Sequence, residues 1–397
     1  MAERPIVLVS GAIANKHLNG GEAWVRLNWV LGLRRLGFSV YFVEQIRLNT
    51  CVDETGAPAP FDQSANRRFF ADTVRAFDLV HASSLMCDDG LHTEGLSYGE
   101  ILDVAGAAEV LINISGHLTL EPVLRRVRRK AYIDLDPGFT QFWHATGLLG
   151  SHLAAHNFFF TVGENIGTPV CPIPTGGLVW RRKRRFLVLE QWPVCRNGDP
   201  NRFTTVAAWR GSFGPVEHNG RRYGLKVHEF RKFISLPQRA PQAFEIALSI
   251  SGDDHADLAA LQANGWTIVD PRQVASNPLA FRRYVQGSGG ECSVAQGIYV
   301  ETNSGWLSDR TVRYLASGKP CLVQDTGFSR NYPVGEGLVP FRTLEEAVSG
   351  AERIAGNYER HSLAARHLAE TYFDSDKILP DMLGQMGIPM PADEIRA

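Results

Sequence analysis

Residues 5–44, PIVLVSGAIANKHLNGGEAWVRLNWVLGLRRLGFSVYFVE, decide the fold. The segment begins with the apolar run PIVLVS and ends with FSVYFVE, and both runs are typical of buried strands. The residues between them predict a helix, because Trp24, Leu27 and Leu31 fall on one helical face and Gly37 provides a stop. A strand, a helix and a second strand in this order predict a βαβ unit.

The same alternation continues along the rest of the chain. Further strands are predicted in the N-terminal half at DLVHASS, VLINIS, KAYIDLD and NFFFTVG. The prolines and glycines of Gly167–Arg185 then predict an interdomain linker. Beyond it, strands are predicted at FTTVAAW, FEIALSI, WTIVD, GIYVET and PCLVQDTG, and the segment after Phe341 predicts one or two helices.

This pattern predicts an α/β fold of two doubly wound, Rossmann-like domains that face a cleft. We expect an N-terminal domain at residues 1–175, a C-terminal domain at residues 176–365, and a helical segment at residues 366–397 that packs back on the N-terminal domain. Ligands of such sheets bind at the carboxyl ends of the strands. Candidate functional residues are therefore sought in loops that follow strands.

Composition excludes several classes of protein. The 41 basic and 42 acidic residues nearly balance, so nucleic acid is not an expected partner, and the basic runs at 125–130 and 181–185 are interpreted as solvated faces or linkers. No apolar run approaches the roughly 20 residues of a membrane helix, and the first residues lack a signal-peptide pattern, which predicts a cytoplasmic protein. The six cysteines have no CxxC spacing, which argues against disulfides and zinc.

The C-terminal half offers a candidate anion site. Arg210 follows a predicted strand and Lys226 begins a predicted helix, so two cations from neighbouring loops could neutralise a diphosphate. In the segment ETNSGWLSDRTVRYLASGKPCLVQDTGFS, Ser308 is predicted to cap a helix that ends at Gly318. The start of this helix predicts a phosphate site. Its candidate ligands are Asn303, Ser304, Ser308, Asp309 and Arg310.

The N-terminal half offers further polar candidates after its strands. Gly20 and Gly21 directly precede a helix and could let an anion approach the backbone. Glu164 and Asn165 follow the last predicted strand and could bind sugar hydroxyls or form a turn. No GxGxxG fingerprint is present, which counts against an NAD-dependent dehydrogenase. His152 and His156 have HxxxH spacing, but no third metal ligand is evident, so we interpret them as helix surface.

The run RTVRYLASGKPCLVQDTG resembles the nucleotide-diphosphate-binding segment of GT-B glycosyltransferases of the family 1/4-like group. Arg210 and Lys226 look like the Arg and Lys that hold the donor diphosphate in those enzymes, and Gly20 and Gly21 look like their glycine loop. YFVEQI, FFFTVGENIG and CPIPTGGLVW also resemble segments of bacterial glycosyltransferases. The resemblance implies a nucleotide-diphosphate sugar donor bound by the C-terminal domain, and a small-molecule or glycan acceptor bound by the N-terminal domain.

A general base is then expected on the N-terminal side of the cleft. His117 and Asp136 follow predicted strands and rank ahead of His17 in the glycine loop, because imidazole and carboxylate groups can both accept the acceptor's proton. We expect no metal ion and no cofactor beyond the donor: the DLD letters at 134–136 are a pattern common by chance, and positive groups would stabilise the leaving diphosphate.

One departure from the resemblance affects the mechanism. Two glutamates separated by seven residues are expected in the large retaining family, but the matching positions here are Gly305 and Arg313. Asp309 or Glu301 become the candidates for binding the donor ribose, and the choice between inversion and retention stays open. Two alternatives remain: a sugar-nucleotide epimerase or hydrolase on the same scaffold, and a non-catalytic nucleotide-sugar-binding protein.

Overall fold

A computed structural model describes residues 4–147, 150–211 and 213–391. The first part of the chain builds an eight-stranded sheet with the strand order β4-β3-β2-β1-β5-β6-β7-β8, parallel except for the β3–β4 pair. Its strands are β1 (Ile6–Ser10), β2 (Ser39–Ile46), β3 (Ser83–Cys87), β4 (His92–Gly95), β5 (Ala108–Ile114), β6 (Lys130–Asp134), β7 (Phe158–Thr161) and β8 (Trp180–Arg182). Its helices are α1 (Gly20–Arg35), α2 (Ala65–Ala76), α3 (Tyr98–Ala107), α4 (Glu121–Arg126), α5 (Phe139–Ala145) and α6 (Gly150–Ala154).

The second part builds a six-stranded parallel sheet with the order β13-β12-β9-β14-β15-β16, and a small antiparallel hairpin, β10–β11. Its strands are β9 (Arg202–Ala208), β10 (Val216–His218), β11 (Arg221–Tyr223), β12 (Ala243–Ser249), β13 (Thr267–Val269), β14 (Gly290–Ser293), β15 (Cys321–Gln324) and β16 (Leu338–Phe341). The helices of this part are α7 (Lys226–Phe230), α8 (His255–Ala263), α9 (Pro271–Val274), α10 (Pro278–Gln286), α11 (Gly297–Glu301), α12 (Asp309–Ala316), α13 (Leu344–Gly356), α14 (Tyr358–Tyr372) and α15 (Ser375–Gln385).

Helix α1 lies at the centre of the contacts between the two halves. Trp24 and Leu27 are fully buried, as the helical face predicted, and the indole Nε1 of Trp24 donates a 2.8 Å hydrogen bond to the carbonyl of Pro278 at the start of α10. On another side, α15 packs so closely that a Cβ at Gly32 would lie 2.7 Å from Cδ1 of Leu379. Helix α1 is therefore buried on several sides.

The strand predicted at GIYVET is wrong. Residues Gly297–Glu301 form helix α11, and the strand of this region is β14, Gly290–Ser293. Periodicity cannot distinguish a short apolar strand from a short buried helix. Glycine is needed at the first position of this helix, because a Cβ at Gly297 would lie 2.8 Å from the carbonyl oxygen of Gly224.

The basic run at residues 181–185 also differs from the expectation of a solvated linker. Strand β8 pairs with β7 at the edge of the first sheet, so part of the run is regular structure. The side chains of Lys183 and Arg185 are buried, at 6% and 7% exposure. The ammonium of Lys183 lies 4.6 Å from the ring centroid of Trp29, which compensates part of its lost hydration.

Among the described residues, no helix is long and apolar enough to pass through a bilayer. All six cysteines lie in the described part of the chain and are free thiols, five of them buried.

Candidate active site

A cleft of about 430 Å³ lies between the two sheets, at the carboxyl ends of their strands. It receives the loops after β1, β5 and β6 from one side, and the starts of α7 and α12 from the other. Its lining combines cations, carboxylates and aromatic rings, as expected of a site that binds charged and ring-shaped groups. The cations are Lys16, Arg26, Arg185, Lys226 and Arg310. The carboxylates are Glu22, Asp136 and Asp309.

The loop after β1 is held by one buried carboxylate. The backbone N–H groups of Ile13, Ala14 and Asn15 donate to the carboxylate of Glu44 over 2.7 to 2.8 Å. Burial raises the pKa of Glu44 to about 7, although the three N–H donors oppose this shift. These donors are used inside the protein, so the loop offers the cleft its side chains rather than its amides.

His117 and Asp136 both line the N-terminal side of the cleft, as predicted. Burial lowers the pKa of His117 to about 3, helped by the nearby charges of Arg26 and Lys16, so the imidazole is neutral at physiological pH. Burial and the neighbouring Asp134 raise the pKa of Asp136 to about 6. Asp136 is therefore ionised at neutral pH and close to its titration range, which suits a general base.

Asp134 has a different environment from Asp136. It is fully buried, and its carboxylate accepts hydrogen bonds from Thr140, Gln141 and Thr161 over 2.6 to 2.8 Å. Its oxygens are used to join β6, α5 and β7. The letters DLD at 134–136 thus contain one carboxylate of the core and one of the cleft. No group of three or more His, Cys, Asp or Glu in the described ranges is arranged to hold a metal ion.

The C-terminal side of the cleft begins with Lys226 and Ser308. Lys226 is the first residue of α7, and burial together with the nearby Arg310 lowers the pKa of its ammonium to about 7. Ser308 caps α12 as predicted, since its hydroxyl accepts from the backbone N–H of Arg310. Arg310 itself is held by the sheet, because its guanidinium donates to Glu291, Ser293 and the Val206 carbonyl.

Two lysines of the cleft are available to a ligand. Lys16, on the N-terminal side, and Lys226, on the C-terminal side, have no hydrogen-bond or ion-pair partner among the residues that the structure describes. By contrast, Arg26 pairs with Glu22, and Arg185 donates to the Leu307 carbonyl over 3.1 Å. Sequence reasoning missed Lys16, whose signal was its place in the loop after the first strand.

The glycine pair lies outside the cleft lining. The N–H of Gly20 donates to the Ala275 carbonyl over 2.8 Å, and a Cβ at Gly20 would lie 2.1 Å from the carbonyl oxygen of Asn277. A Cβ at Gly21 would lie 3.1 Å from the ring of Phe281. The structure thus gives the pair a packing reason, the close approach of α1 to the start of α10, in place of the predicted approach of an anion.

Arg210 and His17 are also directed away from the cleft. The guanidinium of Arg210 is exposed and pairs with Asp254, with Nε at 3.0 Å from Oδ2. Nδ1 of His17 lies 3.3 Å from the side-chain amide of Asn66. Neither residue lines the cleft, whereas Lys226, the predicted partner of Arg210, does.

Asn165, Asn303 and Ser304 join the two domains beside the cleft. The side-chain amide of Asn165 donates to the carbonyls of Asn303 and Gly327, over 2.9 and 3.2 Å, and its backbone N–H donates to the Ser304 carbonyl. The Ser304 hydroxyl is fully buried and donates to the Tyr299 carbonyl over 3.3 Å. The three residues therefore take part in the contact between the domains. This geometry does not support the ligand contacts that were predicted for them.

Glu164 accepts a hydrogen bond from the phenol of Tyr332 and lines a separate cavity beside β8. Burial raises its pKa, against the effects of Tyr332 and Arg184. The residue therefore lies outside the cleft, although the sequence placed it there.

Asp309 is the ribose candidate that remains in the cleft. Burial opposes its ionisation, but Arg313 at 2.7 Å and Arg185 outweigh this and hold its pKa below the usual value. Glu301, the other candidate, instead accepts from the N–H of Gly224 over 3.0 Å. A glutamate at position 305 has no room, because a Cβ there would lie 2.8 Å from Cγ of Asn165.

Aromatic rings line the part of the cleft next to Asp136. Tyr299 and Trp306 stack with ring centroids 4.6 Å apart, and Trp143 meets Phe213 edge to face at 4.8 Å. Such surfaces bind flat or ring-shaped apolar faces, whereas the lysines bind anions. The cleft therefore offers aromatic surfaces as well as cations to a ligand.

Two Rossmann-like domains that face a cleft define the GT-B fold, and comparison with solved structures confirms this fold. Crystal structures of Alr3699/HepE from Anabaena match with TM-scores of 0.54 for the complex with UDP and glucose, 0.54 with UDP-glucose and 0.52 with UDP. Identity is 10%, 11% and 10%, over 97%, 96% and 96% of this chain and 100%, 99% and 99% of the other. Comparisons with protein-family models and with curated proteins give no match.

Proposed function

We propose that this protein is a glycosyltransferase that takes a sugar from a nucleotide-diphosphate donor. The observation that carries the proposal is that Lys16 and Lys226, which have no hydrogen-bond or ion-pair partner in the described part of the chain, line opposite sides of a cleft that also contains Asp136. An unpaired ammonium in a partly dehydrated site attracts a diphosphate strongly. The Anabaena protein of the same fold was crystallised with UDP and UDP-glucose, which makes these the first ligands to test.

In this mechanism the diphosphate lies between Lys16 and Lys226, near the start of α12 that Ser308 caps. The two ammonium groups stabilise the charge that develops on the departing diphosphate. They supply this charge without a metal ion, so metal independence is part of the proposal. The Arg310 guanidinium acts indirectly, since its partners in the sheet fix the first turn of α12.

The acceptor hydroxyl is placed on the aromatic side of the cleft, within reach of Asp136. The carboxylate accepts the hydroxyl proton as the acceptor oxygen attacks the anomeric carbon, and the bond from that carbon to the diphosphate oxygen breaks. His117 is neutral at physiological pH and can hydrogen-bond a sugar hydroxyl without adding charge. The cytoplasmic location predicted from the sequence belongs to the same proposal.

A thermal-shift screen with UDP, dTDP, GDP, CDP and ADP tests donor binding, because a ligand of the folded state raises its apparent stability. We expect at least one diphosphate to raise Tm, and no shift with any of the five would contradict the proposal. Product analysis with the nucleotide sugar alone then separates the reactions. A transferase yields at most slow hydrolysis, while an epimerase would yield a new nucleotide sugar.

Turnover in EDTA tests metal independence. We expect the rate of donor consumption to be unchanged when EDTA replaces added manganese. Complete dependence on manganese would contradict metal independence but would not contradict the proposed donor site.

A further inference from the structure

A second cavity of about 590 Å³ lies outside the cleft, where strand β8, the loop after β15 and helices α14 and α15 meet. We name it the junction cavity. Its walls are mainly basic and apolar and are in contact with solvent, and the carboxylates of Glu164 and Asp381 also line it. The residues of this cavity that matter here are Arg182, Arg184, Arg330, Lys377, Phe160 and Met382.

Two of these cations form no close polar contact with the described residues, although Arg182 is near enough to Glu164 to oppose the rise that burial causes in the pKa of its carboxyl group. Arg182 and Arg330 are exposed, and in the described part of the chain neither side chain has a hydrogen-bond or ion-pair partner. Arg184 is partly compensated by the protein. Its Nε is 3.9 Å from the Glu164 carboxylate, and its guanidinium lies 5.3 Å from the ring centroid of Tyr372.

The remaining cations of the cavity are already engaged. The ammonium of Lys183 lies over the rings of Trp29 and Phe186, 4.6 and 4.4 Å from their centroids. The ammonium of Lys377 donates to the Glu370 carbonyl over 2.6 Å. The five cations of the lining outnumber its two carboxylates, Glu164 and Asp381, and the guanidinium groups free to contact a ligand are those of Arg182 and Arg330.

We propose that the junction cavity binds a small molecule that carries a phosphate monoester. A guanidinium group can bind two phosphate oxygens at once, and the two guanidinium groups that lack a hydrogen-bond or ion-pair partner in the described residues match the charge of nearly −2 on a phosphate monoester at neutral pH. The apolar side chains of Phe160 and Met382 provide a surface for the organic part of the ligand. The volume lies in the range of roughly 300 to 1,000 Å³ that small-molecule sites occupy.

The position of the arginines gives this site a link to domain orientation. Arg182 belongs to the edge strand of the first sheet, whereas Arg330 follows β15 of the second. A phosphate group that contacts both guanidinium groups would join the two domains outside the cleft that contains Lys226. This inference is independent of the proposed transferase activity.

Isothermal titration calorimetry with glycerol 3-phosphate tests the site, and glycerol serves as the uncharged control. We expect wild-type protein to bind glycerol 3-phosphate and not glycerol. The double variant Arg182→Gln/Arg330→Gln should lose at least tenfold in affinity. The matched control Arg128→Gln/Arg283→Gln removes two exposed arginines elsewhere and should bind as wild type does.

Two further experiments test which cavity binds the phosphate group and whether the ligand is a soluble ester or a lipid. Lys226→Gln should keep its affinity for glycerol 3-phosphate, because that residue lies in the cleft. No binding by wild type, or a loss in Lys226→Gln with none in the Arg182/Arg330 variant, would overturn the proposal. Sedimentation with phosphatidylcholine vesicles, with and without phosphatidic acid, distinguishes a lipid headgroup from a soluble ester: either source supports the site if the Arg182/Arg330 variant loses the binding.

Discussion

The phenol of Tyr299 donates a hydrogen bond of 3.0 Å to Oδ1 of Asp136. Tyr299 belongs to α11 of the second domain and Asp136 follows β6 of the first, so one domain positions the candidate base of the other. Burial raises the pKa of Asp136, and the hydrogen bond from Tyr299 opposes this. The domain contact and the protonation of the base are therefore linked.

We expect Tyr299→Phe to move the acidic limb of the pH–rate profile to higher pH. Without the phenol the carboxylate loses a hydrogen bond that favours its charged form, so its pKa rises and more of it is protonated near pH 6. The predicted loss in kcat/KM is about threefold or more at pH 6 and smaller at pH 8. Tyr358→Phe, which removes a phenol that bonds the Gly289 carbonyl, should leave the profile unchanged.

Lys226→Ala and Ser308→Ala should have opposite effects on stability and on donor binding. Loss of the cap at Ser308 should cost about 1 kcal/mol of folding free energy. Lys226→Ala removes a partly buried cation that has no ion-pair partner among the described residues, and should leave Tm nearly intact. For UDP affinity the order reverses, with a loss of tenfold or more in Lys226→Ala. Equal affinity in this variant and wild type would place the diphosphate elsewhere.

Arg210→Ala provides a matched test of the cation assignment. The Arg210 guanidinium is exposed and pairs with Asp254 outside the cleft, so UDP affinity should remain within about twofold of wild type. If Arg210→Ala lost as much UDP affinity as Lys226→Ala, Arg210 would have to be assigned to the diphosphate site. Titration of both variants with UDP in the same buffer gives the comparison.

The affinity for UDP should fall as pH rises through neutrality. Burial and Arg310 lower the pKa of Lys226 to about 7, so its charged form is lost above that pH. The predicted slope approaches about tenfold for each pH unit above 7. Lys226→Arg keeps its charge and should flatten the dependence, while an unchanged slope in that variant would assign the titration to another group.

Stability should decrease as pH falls below 6.5, in part because of His156, which is buried at 7% exposure and does not lie on a helix surface as its spacing suggested. Burial lowers the pKa of this imidazole to about 4, so between pH 6.5 and 4 the unfolded chain binds a proton that the folded protein does not. Each pH unit in that window costs roughly 1.4 kcal/mol of unfolding free energy. Denaturant unfolding at pH 7 and 5 should show a smaller difference in His156→Gln, and no such change in the exposed His81→Gln.

Most strands of the two sheets could be predicted from the sequence because they are near-continuous apolar runs, whereas β4, β8, β14 and β16 were not predicted. IVLVS and SVYFVEQI are buried in parallel sheets, where β-branched and aromatic residues dominate. The cap at Ser308 could also be predicted, because a serine directly before an amphipathic segment commonly caps the start of a helix. Strand β14 was missed because GECS is short and contains Glu291, whose charge is compensated by Arg310 in helix α12, 19 residues further along the chain.

The candidate site was less predictable, because glycines and polar residues have several uses that look alike in sequence. A glycine at position 20 could allow the close approach of an anion or of another backbone segment, and in the structure the backbone of Asn277 occupies that space. Asn165 follows a strand as a ligand would, yet its amide groups bind across the domain contact. Lys16 became a candidate only when the fold showed it opposite Lys226.

Helix α15 follows the second sheet in the sequence but packs on α1 of the first domain, where Leu379 closes over Gly32 and Asp376 pairs with Arg35. The first domain is therefore a discontinuous unit, assembled from segments more than 300 residues apart in sequence. An N-terminal fragment that ends between the two sheets would lack α15, and the hydrophobic surface of α1 that α15 covers would be exposed to solvent. Separately produced halves should aggregate, unless residues 366–391 are fused to the N-terminal fragment or supplied as a peptide.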